Sequence, residues 1–465
     1  MTYPELDEAA SLASAAFDDF RNTEGVTRAA FLDAIAAGLE GLGSELTDVV
    51  TAETNLPTGR AVSELGRTCG QLRMFARLLE DGAWQGVRVV PGDAGRAPLP
   101  RPDLRLRRIP IGPVAVFGAS NFPLAFSVAG GDTAAALAAG APVIVKAHEA
   151  HPRTSALVAG VIGDAAVKLG LPVGVFGILY GDGPGLGQAL AAHPAVKAVA
   201  FTGSRRAGLA LAATAAARPV PIPVFAEMSS VNPVFVLPGA LAARPAELAR
   251  GLVGSMVLGA GQFCTSPGLV FVPDGVGLDV FVAEAARAVA ESALHPMLTA
   301  GIGAAYGAGT ARLGAVPGVV TLARGGGDPS AALFCTDAST FLADRALQEE
   351  VFGAASLIVT SGGEAETHRL IEGLEGQLTA TVHAEGSDHA EVTRLLPRLE
   401  RLAGRIVFGG WPTGVEVGDA TVHGGPFPAT SDGRSTSVGT LAIDRFLRPV
   451  AYQDFPADLL PVETR

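Results

Sequence analysis

The chain has 465 residues, too long for one simple core, and at ~100–200 residues per domain it predicts two or three domains. Its 34 Lys and Arg against 46 Asp and Glu leave a net charge of −12, which excludes a nucleic-acid partner needing a basic face to neutralise phosphates. Mean hydropathy is +0.36, yet Pro110, Pro113, Asn121, Pro123 and Gln262 interrupt the two long uncharged runs, 109–131 and 251–273, so both read as buried α/β core and not as membrane spans.

From the N-terminus, the acidic start MTYPELDEAASLASAAFDDF has neither a basic n-region nor a long apolar stretch, so no signal peptide is expected. Cysteines at 69, 264 and 335 form no CxxC pair, which fits a reducing cytoplasm. Apolar residues at helical spacing predict helices over 5–20, 24–42 and 60–82. In the Pro-, Gly- and Arg-rich stretch that follows, the alternation of Leu104 and Leu106 predicts an edge strand or exposed hairpin.

The rhythm then changes to strand–helix alternation. Strands are expected over 113–119, 142–147, 175–181 and 198–204, with helices over 125–139, near 153–169 and near 184–192. A second series of short apolar strands covers 231–237, 268–273, the region of Phe334, 356–360 and 380–384. Two α/β domains with parallel sheets follow from this pattern.

No GxGxxG follows a predicted strand in the usual way. FTGSRRAG (201–208) instead offers Gly203 for a tight turn and Ser204 as a helix cap whose amides suit a pyrophosphate; an ordinary strand-to-helix turn is the alternative. Lys146, one of only three lysines, ends a predicted strand, where doubly wound sheets bind ligands. Cys69 and Cys335 read as small core hydrophobes, whereas Cys264 in GQFCTSPG sits in a glycine- and polar-rich loop suited to a nucleophile. Asn121 in GASNFP is a candidate oxyanion donor or a plain turn former. Glu227, between two apolar strands, is a candidate base whose burial is expected to raise its pKa. His148, His151 and His423 read as loop histidines, and no metal site is expected.

Taken in order, PIGPVAVFGASNFPLAF, VIVKAHEAHPRTS, AVAFTGSRRAG, PVFAEMSSVNPVFV, GQFCTSPG and EEVFG resemble the aldehyde dehydrogenase superfamily over nearly the whole chain. The segment GGWPTGVEVGDATVHGGPFPATSDGRSTSVGT is similar to the branch that oxidises 2-oxoglutarate semialdehyde in bacterial sugar-acid catabolism. The resemblance implies two doubly wound Rossmann-like α/β domains with a small β oligomerisation element. It places an NAD(P)-binding domain at 1–95 and 111–229, a catalytic domain at 230–435, and the oligomerisation element and tail at 96–110 and 436–465. It makes Cys264 the nucleophile, Asn121 with the Cys264 amide the oxyanion site, and Glu227 the base that activates water.

The resemblance also assigns Lys146 and Glu149 to the adenosine ribose, Gly203, Ser204 and Gly208 to the pyrophosphate turn, and Glu350 and Phe352 to the nicotinamide half. NAD is expected over NADP, because Glu149 would repel a 2′-phosphate. Implied partners are a small-molecule aldehyde and further copies of the chain in a homodimer or homotetramer, without nucleic acid or membrane. Ser120 stands where many members have Trp, and Met228 and Ser229 where many have glycines. A CoA-acylating enzyme and a broad semialdehyde or fatty-aldehyde dehydrogenase are the rival readings. A Cys–His hydrolase would need a histidine beside Cys264, which nothing in the sequence guarantees.

Overall fold

The structure, a computed structural model, describes residues 3–465. It opens with four helices, α1 (Pro4–Arg21), α2 (Gly25–Leu42), α3 (Ser44–Thr54) and α4 (Thr58–Asp81). The spacing predicts three of them; α3 escapes because Leu46 and Val50 are its only buried large apolar residues. Leu65, Cys69, Leu72, Phe75 and Leu79 of α4 pack into the same core as Phe31, Leu32, Ile35 and Leu39 of α2. Arg60, Glu64 and Arg67 follow one another at i, i+4 and i+7 on α4, so they share a face.

Short strands β1 (Arg88–Val90) and β2 (Leu104–Pro110) pair antiparallel. Strand–helix alternation then runs through β3 (Val114–Phe117), α5 (Gly131–Ala139), β4 (Val143–Lys146), α6 (Pro152–Lys168), β5 (Phe176–Leu179), α7 (Gly183–Ala192), β6 (Ala198–Thr202), α8 (Arg205–Ala216) and β7 (Val224–Glu227). These strands form an all-parallel sheet in the order β5-β4-β3-β6-β7. The order reverses at β3, which opens a crevice at the carboxyl ends of β3 and β6. The helix expected over 125–139 starts only at Gly131. A Cβ at Gly130 would lie 2.6 Å from the Ala125 carbonyl, and 119–130 runs as tight turns.

The second sheet comprises β8 (Val234–Val236), β9 (Leu269–Pro273), β10 (Val320–Arg324), β11 (Ala332–Asp337), β12 (Ala355–Ser361), β13 (Gln377–His383) and β14 (Ala403–Phe408). Its order is β10-β11-β12-β9-β8-β13-β14, parallel except for β10. Alternate residues feed two cores: Phe235, Phe271, Phe334 and Leu357 on one face, Val236, Val270, Leu333 and Ile358 on the other. The edges β10 and β14 escape sequence reading because each is largely half-exposed and lacks a continuous apolar run. A last strand, β15 (Leu447–Gln453), pairs antiparallel with β2 to complete a three-stranded sheet, β1-β2-β15. Among the described residues no helix is long and apolar enough to cross a membrane.

Candidate active site

A cavity of about 1060 Å³ is lined at one end by Lys146, Glu149, Gly203 and Ser204, and at the other by Asn121, Glu227, Cys264, Glu350 and Phe352. It brings together every site residue expected from the sequence except Gly208. Gly208 is buried a turn into α8, where a Cβ would strike Met228 Sδ at 2.8 Å; it lets the helix approach the sheet and does not line the cavity.

The loop that carries Cys264 is shaped by three successive left-handed residues, Gly259, Ala260 and Gly261. At Gly261 a Cβ would lie 2.2 Å from the Ala354 amide, so only glycine fits. Asn232, itself left-handed, clamps the loop by donating from Nδ2 to the carbonyls of Cys264 at 2.8 Å and Ser266 at 2.9 Å. Asn121 Nδ2 donates to the Gln262 carbonyl at 3.1 Å, which leaves its second N–H for another acceptor. The Cys264 amide has no acceptor among the described residues.

Two buried groups fix the turn that holds Asn121. Glu64 Oε1 accepts from the amides of Leu124 at 2.9 Å and Ala125 at 3.0 Å. His151 Nε2 lies 3.1 Å from the Ala119 carbonyl. The reading of His151 as a plain loop histidine is therefore corrected: it is fully buried, and desolvation lowers its pKa and keeps it neutral. Stacked on it, His148 is pulled down to about 4, first by burial.

His423 requires a larger correction. It is 1% exposed, and its Nε2 stands 3.4 Å from Cys264 Sγ and 2.9 Å from Glu227 Oε1. The structure supplies the histidine beside Cys264 that the sequence did not guarantee. Glu227 Oε2 accepts a hydrogen bond from Ser437 Oγ at 2.6 Å. Burial pushes the Glu227 carboxyl up, as expected, but the His423 charge and hydrogen bonds from His423, Ser437 and Cys264 outweigh it. The net shift is downward, opposite to the expectation, because the partners arrive from a distant loop. The half-buried Cys264 thiol is pushed well above its ordinary range by burial, then by the charges of Glu227 and Glu350, with Arg67 opposing.

At the other end, Lys146 closes β4 and its Nζ lies 2.6 Å from Glu149 Oε1; the lysine is buried, while the carboxylate is open to solvent. Ser204 Oγ caps α8 by accepting from the Ala207 amide at 3.3 Å. The amides of Arg205 and Arg206 are without an acceptor among the described residues. Glu350, partly reached by solvent, is pushed up to about 8, chiefly by desolvation and further by the Glu227 charge.

Comparison with known proteins decides what kind of site this is. Residues 1–306 match the profile described as "Aldehyde dehydrogenase family". The chain belongs to the aldehyde dehydrogenase family. It is 55% identical to "Alpha-ketoglutaric semialdehyde dehydrogenase 2" of Azospirillum brasilense over 98% of this chain and 88% of that one. It is 48% identical to "Alpha-ketoglutaric semialdehyde dehydrogenase" of Acinetobacter baylyi over 99% and 88%. Among solved structures, proline utilization A of Bradyrhizobium japonicum superposes with a TM-score of 0.82 at 24% identity, over 97% of this chain; the chain spans 45% of that larger protein. 3,6-anhydro-L-galactose dehydrogenase in complex with NAP gives 0.82 at 20% identity, over 97% and 91%. These structural likenesses establish the aldehyde dehydrogenase fold.

Members of the family use NAD(P), and the cavity of this aldehyde dehydrogenase fits such a group. A buried ammonium and a carboxylate for sugar hydroxyls lie at one end, and unsatisfied helix amides stand near them. Ser120 and Met228, where many members have Trp and Gly, both line the cavity, and neither replaces a titratable group. Sequence reasoning passed over Glu64, Asn232, His423 and Ser437. Glu64 and Asn232 sit inside stretches legible as helix and strand linker, but their value depends on which backbone groups they reach. His423 and Ser437 lie in a long irregular segment without periodicity, and VHGGP alone marks only a turn.

Proposed function

We propose that this aldehyde dehydrogenase oxidises 2-oxoglutarate semialdehyde to 2-oxoglutarate, with Cys264 as nucleophile, Asn121 as oxyanion donor and the His423–Glu227 pair as acid–base device. The reading rests on the line from Sγ through Nε2 to a carboxylate, set beside the Asn121 amide. Identity of about one half to two semialdehyde dehydrogenases supports the substrate.

Sγ attacks the aldehyde carbon as its proton passes to the His423–Glu227 pair, whose carboxylate accepts from the thiol and whose imidazole stands beside both. The carbonyl electron pair moves onto oxygen, where the free N–H of Asn121 and the Cys264 amide stabilise it. The residues of the cofactor site would hold NAD(P), which would supply a hydride acceptor there; with the hydride gone, the oxygen pair would re-form the carbonyl as a thioester on Cys264, and the pair would release the thiol proton to solvent. Water then attacks the thioester carbon while the freed Glu227–His423 pair takes its proton. The C–S bond breaks, the thiolate is reprotonated and the acid leaves. An ionised Glu227 beside the thioester favours water over CoA as acyl acceptor.

Lys146, Glu149, Gly203 and Ser204 hold the adenosine half of the cofactor, and Glu350 with Phe352 the nicotinamide half. Glu149, open to solvent beside the sugar hydroxyls, favours NAD over NADP. Residues 1–95 and 111–229 make the cofactor domain, 230–435 the catalytic domain, and 96–110 with 436–465 the element that pairs copies into a homodimer or homotetramer. The antiparallel pairing of β2 with β15 in one small sheet supports that last assignment. A cytoplasmic setting fits three unpaired cysteines.

The test is a steady-state comparison of 2-oxoglutarate semialdehyde with glutarate semialdehyde, succinate semialdehyde and a long-chain aldehyde, with Cys264→Ala as control. The first substrate should show the highest kcat/KM, and the variant should bind cofactor yet form no NADH. A higher kcat/KM for a long-chain aldehyde sinks the substrate assignment; full activity of the variant sinks the chemistry.

A further inference from the structure

A semialdehyde that carries an acid needs a cation at the far end of its binding site, and three arginines are electrostatically coupled to Cys264: Arg60, Arg67 and Arg405. Their hydrogen bonds tell them apart. Arg405 has a buried, unpartnered Nε as Arg67 does, but spends both Nη1, on the Gly414 carbonyl, and Nη2, on that of Pro412, and so holds the loop at 412–414. Arg60 lies between the rings of Phe122 and Phe263, with its guanidinium carbon 4.3 and 4.5 Å from their centroids. It donates to the Asn121 carbonyl at 3.4 Å and pairs with Glu64 at 3.5 Å, so its charge is already answered.

Arg67 differs. Only Nη1 is engaged, with the Val415 carbonyl at 2.7 Å; Nε is buried without a hydrogen-bond partner among the described residues, and Nη2 makes no hydrogen bond there either. Nη2, unlike Nε, is not buried, so it is the nitrogen of this guanidinium open to an incoming carboxylate. The guanidinium lies over the ring of Phe126, 5.6 Å from its centroid, and that ring lines the cavity and lies 6.2 Å from His423, which touches Cys264.

We propose that Arg67 binds the carboxylate end of the substrate through Nη2 and thereby sets the preference of this enzyme for acid-bearing aldehydes. The proposal rests on the semialdehyde reading above. It makes Arg67 a specificity-determining residue, Arg60 and Arg405 the frame around it, and Phe126 the apolar floor between acid and nucleophile.

The test compares 2-oxoglutarate semialdehyde with pentanal, a neutral aldehyde of the same length, in the wild type, Arg67→Gln and Arg67→Lys. A charge-assisted hydrogen bond predicts that Arg67→Gln reduces the ratio of kcat/KM for semialdehyde over pentanal by about 10- to 150-fold. Arg67→Lys should recover part of that ratio, since it restores the charge without the guanidinium geometry. Product inhibition by 2-oxoglutarate should weaken in the same order. An equal fall on both substrates would mean that Arg67 only supports the loop through Val415, and this overturns the proposal. So does a wild-type preference that survives Arg67→Gln. A wild-type enzyme that prefers pentanal removes the substrate reading and the proposal with it. If Arg67→Gln does not fold, the Lys variant decides: an undiminished selectivity ratio and undiminished inhibition by 2-oxoglutarate overturn the proposal.

Discussion

Replacing His423 with Gln keeps a polar side chain of similar reach but removes the base that faces Cys264. In the intact site Nε2 stands 3.4 Å from Sγ and 2.9 Å from the Glu227 carboxylate, so a proton leaving the thiol passes to a pair that can share it. The thiol is held above its ordinary range by burial and by two carboxylates, so without an acceptor little thiolate exists at neutral pH. General-base assistance of this kind contributes about 10²–10⁴ in rate, or about 3–5 kcal/mol of barrier. The variant also takes from Glu227 the largest influence that lowers its pKa, leaving burial opposed by fewer partners, so the carboxyl shifts toward its neutral form. The assay is the rate of Cys264 alkylation by iodoacetamide against pH, run beside the pre-steady-state burst of NADH. His423→Gln should lower both by about 100-fold or more at neutral pH, with alkylation recovering only in alkali. An alkylation profile that overlays the wild type from about pH 6 to 9 would refute the base assignment.

Glu227→Gln should slow thioester hydrolysis by at least about 100-fold, and the NADH burst by less, because His423 still faces the thiol; rapid-quench kinetics showing equal losses would point to another base for water. Glu149→Gln should narrow the NAD over NADP preference in kcat/KM by about 5- to 10-fold through loss of like-charge repulsion; a wild type that favours NADP refutes the premise. Glu350 titrates at about 8 when folded against 4.5 ordinarily, so between those values the folded chain holds a proton that the unfolded chain has lost. Stability must then fall as pH rises across that window, by at most about 4–5 kcal/mol, and less because solvent reaches the group. Glu350→Gln should therefore raise the Tm of the cofactor-free enzyme near pH 8 and change it little near pH 5, and a pH-independent difference would contradict the assignment.

The sequence displays the scaffold of this site more clearly than its acid–base chemistry. Continuous apolar runs such as Val143–Lys146 must be covered on both faces, so the parallel sheets are visible before any coordinates. Cys264 and Asn121 stand out because each follows a recognisable punctuation of Gly, Ser or Pro. What pattern cannot convey is convergence across distance. Glu227 and His423 are 196 positions apart, yet the sign of the Glu227 shift is decided by that contact and by Ser437. The inference that burial raises a carboxyl pKa used a sound rule on an incomplete list of neighbours. Glu64 shows the same blindness in a helix: its position on α4 was legible, while its grip on the amides of Leu124 and Ala125 was not.

The low charge of the segment around Cys264 has an electrostatic consequence that joins the nucleophile to its substrate. Burial, Glu227 and Glu350 all favour the protonated thiol, and Arg67 is the cation that opposes them. A resting thiol is a poor target for oxidants, which react with thiolate, so the free enzyme keeps its nucleophile guarded. When a substrate carboxylate engages Arg67, that cation is neutralised and its help to the thiolate falls away. Substrate binding therefore cannot be what generates the nucleophile through charge alone. The proton must leave without creating an isolated charge, and the His423–Glu227 pair allows this: the carboxylate that accepts from the thiol is already held by the imidazole, so the thiolate forms beside a pair that shares the proton. The arginine selects the aldehyde and the histidine arms the sulfur, and because these duties lie on separate groups, loss of either should leave a different kinetic mark.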